Sequence, residues 1–132
     1  MKYVYVLTST KNDLYYEQAL MSVWSLRYHM KDAEVIVLVD NKTKESFKDE
    51  KRAELKELAQ IISVDFDDSV SNVERSRLIK TALPDYVKGD FLYIDCDTVI
   101  ADDLSSINEI KGDAGGVLDG HSLLDEHVHK NY

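Results

Sequence analysis

Two aspartates one residue apart, Asp95 and Asp97, follow directly on the four apolar residues FLYI at 91–94. If the chain stays extended past Ile94, side chains two apart point the same way. Both carboxylates then face one site, while Cys96 between them turns into packing. Two carboxylates leave coordination positions open for phosphate oxygens. Mg²⁺ or Mn²⁺ suits that arrangement, because such hard cations commonly bind through few carboxylates plus substrate phosphates. Asp-x-Asp alone is a weak motif that reads equally well as a solvated turn or cap, so its meaning depends on the elements around it.

Those elements alternate. Residues 3–8 (YVYVLT) are β-branched and aromatic and predict a first strand. Residues 14–30 set Tyr15, Ala19, Val23, Leu26 and Met30 at helical spacing. Residues 34–39 (EVIVLV) form a near-continuous apolar run, the pattern of a strand buried on both faces. Residues 43–59 are charged helix formers with Phe47, Leu55 and Leu58 as a thin apolar stripe. Residues 61–66 predict a third strand, Arg75 to Leu83 a helix ending before Pro84, residues 91–94 a fourth strand and residues 114–118 a fifth. Asp102 and Asp103 suit the start of a short helix. The expected fold is α/β and Rossmann-like, a mostly parallel sheet with helices on both faces, in one domain over residues 1–132.

In such sheets ligands sit beyond the carboxyl ends of the strands. Those ends are Thr8-Ser9-Thr10, Asp40-Asn41, Asp65 to Asp68, Asp95-Cys96-Asp97 and Asp119-Gly120-His121. Acids converging on one rim suit a divalent cation held by oxygens.

Composition narrows the partners. With 25 acidic and 16 basic residues the formal charge is −9, a field that repels nucleic-acid backbones and anionic membranes. An anionic ligand would need a cation or local basic residues to offset that field. One cysteine excludes a disulfide framework and a thiolate zinc site. No apolar run approaches the length of a transmembrane segment, and a cytoplasmic location is expected.

Three blocks carry a family resemblance: VYVLTSTKNDLYYEQALMSVWSL, SRLIKTALPDYVKGDFLYIDCDTVIADDL and AGGVLD. In order and spacing they resemble the retaining glycosyltransferases of family eight, the GT-A group that contains glycogenin and lipopolysaccharide galactosyl- and glucosyltransferases. The resemblance implies a nucleotide-sugar-binding domain and metal-dependent transfer of a hexose from a UDP-sugar to the hydroxyl of a saccharide or lipid-linked saccharide acceptor. It implies that Asp95 and Asp97 hold Mn²⁺ or Mg²⁺, and that Thr8, Ser9 and Thr10 bind the uridine. Tyr15, next to Tyr16, would stack on the uracil, and Cys96 would lend backbone near the ribose. Arg77 and Lys80 would meet the diphosphate, with Arg77 and Asp119 beside the donor sugar.

Each residue also has a plainer reading. Thr8 to Thr10 could cap the following helix, Tyr15 could pack in the core, Arg77 and Lys80 could form a solvated helix face, and Asp119 could belong to a turn. His121, His127 and His129 read as solvated tail residues rather than ligands. Family members continue past the region of Asp119 with an Asn-x-Gly stretch and a later histidine segment that this chain lacks. The resemblance therefore predicts the N-terminal part of such an enzyme, truncated and weak or inactive alone. Its complement would be a dimer or a chain carrying the missing half. Two rival readings stand beside it. Asp95-Cys96-Asp97-Thr98-Val99 also fits the nucleophile motif of haloacid-dehalogenase-type phosphotransferases, with Asp95 attacking phosphorus. The other rival is a non-catalytic nucleotide-binding fragment.

Overall fold

In the computed structural model, which describes residues 1–112 and 115, four parallel strands form one sheet in the order β3-β2-β1-β4. They are β1 (Lys2–Leu7), β2 (Glu34–Asp40), β3 (Gln60–Val64) and β4 (Phe91–Tyr93). β1 and β2 run in register from Lys2 opposite Glu34 to Leu7 opposite Val39, while β4 joins the other side of β1 with Val4 opposite Tyr93. The α/β class is as expected, and the described sheet is entirely parallel. The predicted strand at 114–118 and residue Asp119 lie outside the described residues.

The near-continuous apolar character of β1 and β2 has a direct cause: helices cover both faces. Tyr3, Tyr5, Leu7, Val35, Val37 and Val39 point to one side, and α1 (Tyr15–His29) packs there through Tyr16, Ala19, Val23 and Leu26. Val4, Val6, Ile36 and Leu38 point to the other side, beneath Ile79 of α4 (Asn72–Thr81) and Leu83 of α5 (Leu83–Tyr86). Alternate residues of one strand thus supply two separate cores, as the two-residue period of a strand requires.

Several boundaries differ from the sequence expectation; β3, for one, ends at Val64 and not at residue 66. The charged stretch 43–59 is not one helix. It divides into α2 (Asn41–Ser46), a 3-10 turn (Glu50–Arg52) and α3 (Leu55–Leu58). Asp40 and Asp49 cap the first two pieces by accepting from the backbone N–H of Thr43 and Lys51, and such side-chain bonds compete with helix continuation. The break also lets Arg52 reach inward to the carbonyl of Thr10 and the hydroxyl of Ser9. Helix α4 starts earlier than Arg75, because Ser71 and Glu74 form a reciprocal capping box. Pro84 does not end all helical structure. α4 stops at Thr81, and Pro84 sits in the first turn of α5, where its missing N–H costs nothing. Near residue 103 the expected short helix is a 3-10 turn, Ser105–Glu109, whose first N–H is met by Asp103 at 2.6 Å.

Candidate functional site

The chain order explains where the site lies. β1, β2 and β3 step outward in one direction, and the connection through α4 and α5 then carries the chain back across to the far side of β1. The helices of the two connections cover opposite faces, so a crevice opens between the carboxyl ends of β1 and β4, the switch point at which open parallel sheets bind ligands. A cleft of about 460 Å³ occupies that position. Its walls include Thr8 after β1, Tyr15 at the start of α1, Arg77 and Lys80 on α4, and Asp95, Cys96 and Asp97 after β4. Seven of the residues singled out from sequence, drawn from four separate segments, therefore line one cavity.

Asp95 sits in a defined polar cluster. Lys80 Nζ donates to its Oδ1 at 2.8 Å, and the hydroxyl of Tyr93 donates to the same oxygen. The Lys80 ammonium also lies 5.4 Å from the centre of the Tyr93 ring, a cation–π distance. Partial burial opposes the charged carboxylate, but the hydrogen bonds from Lys80 and Tyr93 outweigh it and hold Asp95 below its ordinary pKa. Burial and then the bond to Asp95 push the Tyr93 phenol up, so it stays a donor. The carbonyl of Asp95 accepts from the Thr98 hydroxyl at 2.8 Å, turning the chain immediately after the strand. Asp97 faces the cleft, and among the described residues its carboxylate has no hydrogen-bond partner.

The extended run expected past Ile94 does not form: β4 ends at Tyr93, and Cys96 and Asp97 lie in a turn, so Cys96 borders the cleft beside both acids as well as packing inward. It packs against the α1-side core, and its thiol donates to the carbonyl of Val6 at 3.2 Å. Burial, followed by the charge of Asp95, pushes its pKa up to about 12, so it is a neutral packing group.

The first strand's polar end divides. Thr8 reaches the cleft, while Ser9 and Thr10 lie outside its lining. Ser9 is buried: its N–H donates to Thr43 Oγ1 at 2.8 Å, and its hydroxyl donates to Asp13 at 2.7 Å. The N–H and hydroxyl of Thr10 donate to the other oxygen of Asp13 at 2.6 and 2.7 Å. Asp13 in turn accepts from the N–H of Tyr15, so it knits the loop onto the start of α1. The two neighbouring tyrosines also part company. Tyr15 is 56% exposed at the cleft, whereas Tyr16 is 1% exposed in the core. The Tyr16 hydroxyl accepts from the N–H of Leu55, its ring edge meets Phe47, and Arg52 stacks over it at 4.7 Å.

On α4 the helical period separates two arginines. Arg75 and Ile79 face the sheet, while Val73, Ser76, Arg77 and Lys80 face the cleft. The rim of acids expected from the strand ends is correspondingly smaller. Asp40 is buried against Arg75 at 3.0 Å and caps α2, Asp68 pairs with Lys42 at 2.9 Å, and Asp67 accepts from Ser69. Among the described residues, Asp95 and Asp97 are the only ones of these acids that line the cleft. Sequence reasoning passed over Gln18, Asn72, Ser76 and Tyr93. The first three lie on the cleft-facing sides of α1 and α4, so their signal was a helical phase alone, and Tyr93 read only as strand filler.

Among the described residues no group of three or more His, Cys, Asp and Glu could hold a metal ion. The donors that do reach the cleft are carboxylate oxygens. Asp95 keeps Oδ2, and Asp97 both oxygens, without partners among the described residues. An all-oxygen pair of this kind fits a hard divalent cation completed by water and ligand phosphates. No helix among the described residues is long and apolar enough to cross a membrane. No family model matches this chain, and no curated protein is significantly similar to it.

Proposed function

We propose that the chain binds a uridine-diphosphate sugar with a divalent cation and forms the donor half of a metal-dependent, GT-A-type hexosyltransferase. The observation that carries this reading is the convergence of Asp95 and Asp97 with Arg77, Lys80, Thr8 and Tyr15 on one cleft at the switch point of the sheet. In this reading Asp95 and Asp97 would hold Mn²⁺ or Mg²⁺ through the oxygens that no described residue engages. The ion supplies charge neutralisation for the diphosphate as it departs. Arg77 and Lys80 add fixed positive charge along the same path, and Tyr15 offers an exposed ring on which a base can stack. The sugar would pass to a hydroxyl of a saccharide or lipid-linked saccharide, and Asp119 would stand beside the donor sugar.

The test is calorimetric titration with UDP in the presence and absence of Mn²⁺. Metal-dependent binding that disappears in Asp97→Asn supports the reading. Binding of UDP indifferent to both the metal and Asp97 would remove its basis.

A further inference from the structure

Among the described residues, the lining of the cleft carries balanced charge within a strongly acidic chain. The charged members of that lining are two cations, Arg77 and Lys80, and two carboxylates, Asp95 and Asp97, against a formal charge of −9 for the whole protein. The cations are not equivalent. Lys80 Nζ is in contact with Asp95 Oδ1 at 2.8 Å and lies over the Tyr93 ring, whereas the side chain of Arg77 makes no hydrogen bond or ion pair among the described residues. A divalent ion engaging Asp95 and Asp97 must therefore share Asp95 with a cation already in place. Alone, it would convert a balanced lining into one with two excess positive charges. A diphosphate arriving with it reverses that balance and offers Lys80 an alternative anionic partner.

From the Lys80–Asp95 contact and the balanced charge of the described lining, we infer that Lys80 is a tethered counter-ion that makes metal binding conditional on the diphosphate. The inference rests on the proposed site for metal and diphosphate, but not on the uridine or the sugar. Lys80 is a positioning and selectivity residue: it suppresses occupation of the carboxylates by a bare cation and favours the metal–diphosphate pair. Because coupling free energies are reciprocal, the factor by which a diphosphate tightens the metal equals that by which the metal tightens the diphosphate.

The experiment measures Mn²⁺ affinity by the loss of the free-ion paramagnetic resonance signal, for the full chain alone and with saturating pyrophosphate or UDP. Each titration is corrected by a protein-free one for the Mn²⁺ that the diphosphate itself chelates. The variants are Lys80→Met and Lys80→Arg. Lys80 is 40% exposed at its side chain, and circular dichroism checks that the fold is retained. In the unmodified chain, Mn²⁺ is expected to bind weakly alone and more tightly with either diphosphate. Lys80→Met should tighten bare Mn²⁺ by about five- to tenfold, the scale of one unit charge at close range in a solvated site, and reduce the gain from diphosphate by a similar factor. Lys80→Arg should preserve the original pattern. Bare Mn²⁺ binding that is unchanged or weaker in Lys80→Met overturns the inference, because Lys80 would then only orient Asp95. So does a metal affinity in the unmodified chain that neither diphosphate raises. If pyrophosphate and UDP act equally, the counter-ion role stands while the uridine part of the proposed function fails.

Discussion

The guanidinium of Arg75 meets the carboxylate of Asp40 at 3.0 Å, with only 3% and 1% of the two side chains exposed. The contact is ionic without hydrogen-bond alignment at Nη1, and Nε has no partner. The other terminal nitrogen donates to Asn72 Oδ1 at 2.5 Å. The pair ties the carboxyl end of β2 to the first turn of α4, the helix whose opposite face carries Arg77 and Lys80. Removing one member of such a pair strands a buried charge. Arg75→Met is expected to cost about 3–5 kcal/mol, read as a shift in the urea midpoint. The double variant with Asp40→Asn should cost less than the sum of the two single variants. Additive losses would show that the pair is not coupled.

The adjacent tyrosines should separate binding from stability. Tyr16→Ala empties a core position beneath Phe47 and Arg52 and is expected to destabilise by about 3–5 kcal/mol, as for other buried aromatic truncations. Tyr15→Ala should leave the unfolding transition within about 0.5 kcal/mol, as for a surface position, yet weaken UDP by about fivefold or more through loss of an aromatic contact. Equal effects on stability would contradict the outward orientation of Tyr15.

Asp13 should mark the acid limb of stability. Burial opposes its charge, but donors from the Thr10 backbone, Thr10 and Ser9 side chains and the Tyr15 backbone prevail and hold its pKa below the ordinary 3.8. A lowered folded pKa contributes stability that is present above the unfolded value and lost as the pH falls through the folded one. Asp13→Ala should therefore cost about 1 kcal/mol at neutral pH, the scale of a lost helix cap. The difference from the unmodified chain should shrink as the pH drops below 3.8. Denaturation midpoints across pH 2–7 read this directly (about five points suffice to define the slope). A constant difference would mean that the hydroxyl and amide contacts act without the charge.

Cys96 should resist alkylation. With its thiol pKa pushed up to about 12 by burial and the neighbouring acid, almost no thiolate exists at neutral pH, and thiolate is the reactive form. Iodoacetamide is expected to label the native chain at least tenfold more slowly than the urea-unfolded one, where an ordinary thiol has a pKa of about 8.5. Comparable rates would indicate that the segment after β4 opens readily.

Parts of this molecule were legible without coordinates because they depend on local periodicity. The apolar runs of β1, β2 and β4 and the Ala19, Val23 and Leu26 stripe of α1 follow from residues near in sequence. The position of Asp95 and Asp97 just beyond a strand was legible, but not their presentation, because the chain turns at Cys96 and Asp97 instead of staying extended. The stretch at 43–59 was not legible, since its division lets Arg52 reach back to Ser9 and Thr10, contacts more than forty residues apart in the chain. The choice between Tyr15 and Tyr16 was equally hidden: both fit helical spacing, and the hydroxyl partner of Tyr16 lies on α3.

The sequence by itself determined the α/β class, most of the strands and the set of polar residues at their carboxyl ends, because the two-residue and 3.6-residue periods are properties of the chain alone. Only the tertiary structure decided which of those polar residues meet. Strand order brought the ends of β1 and β4 together, and the rotation of α4 turned Arg75 inward and Lys80 outward. That rotation committed Asp40 to a buried pair and left Asp95 and Asp97 at the cleft. The physical reason is that charge pairing depends on distance through space, and the distance between Lys80 and Asp95 is set by how a helix and a strand pack, not by the fifteen positions that separate them in the chain.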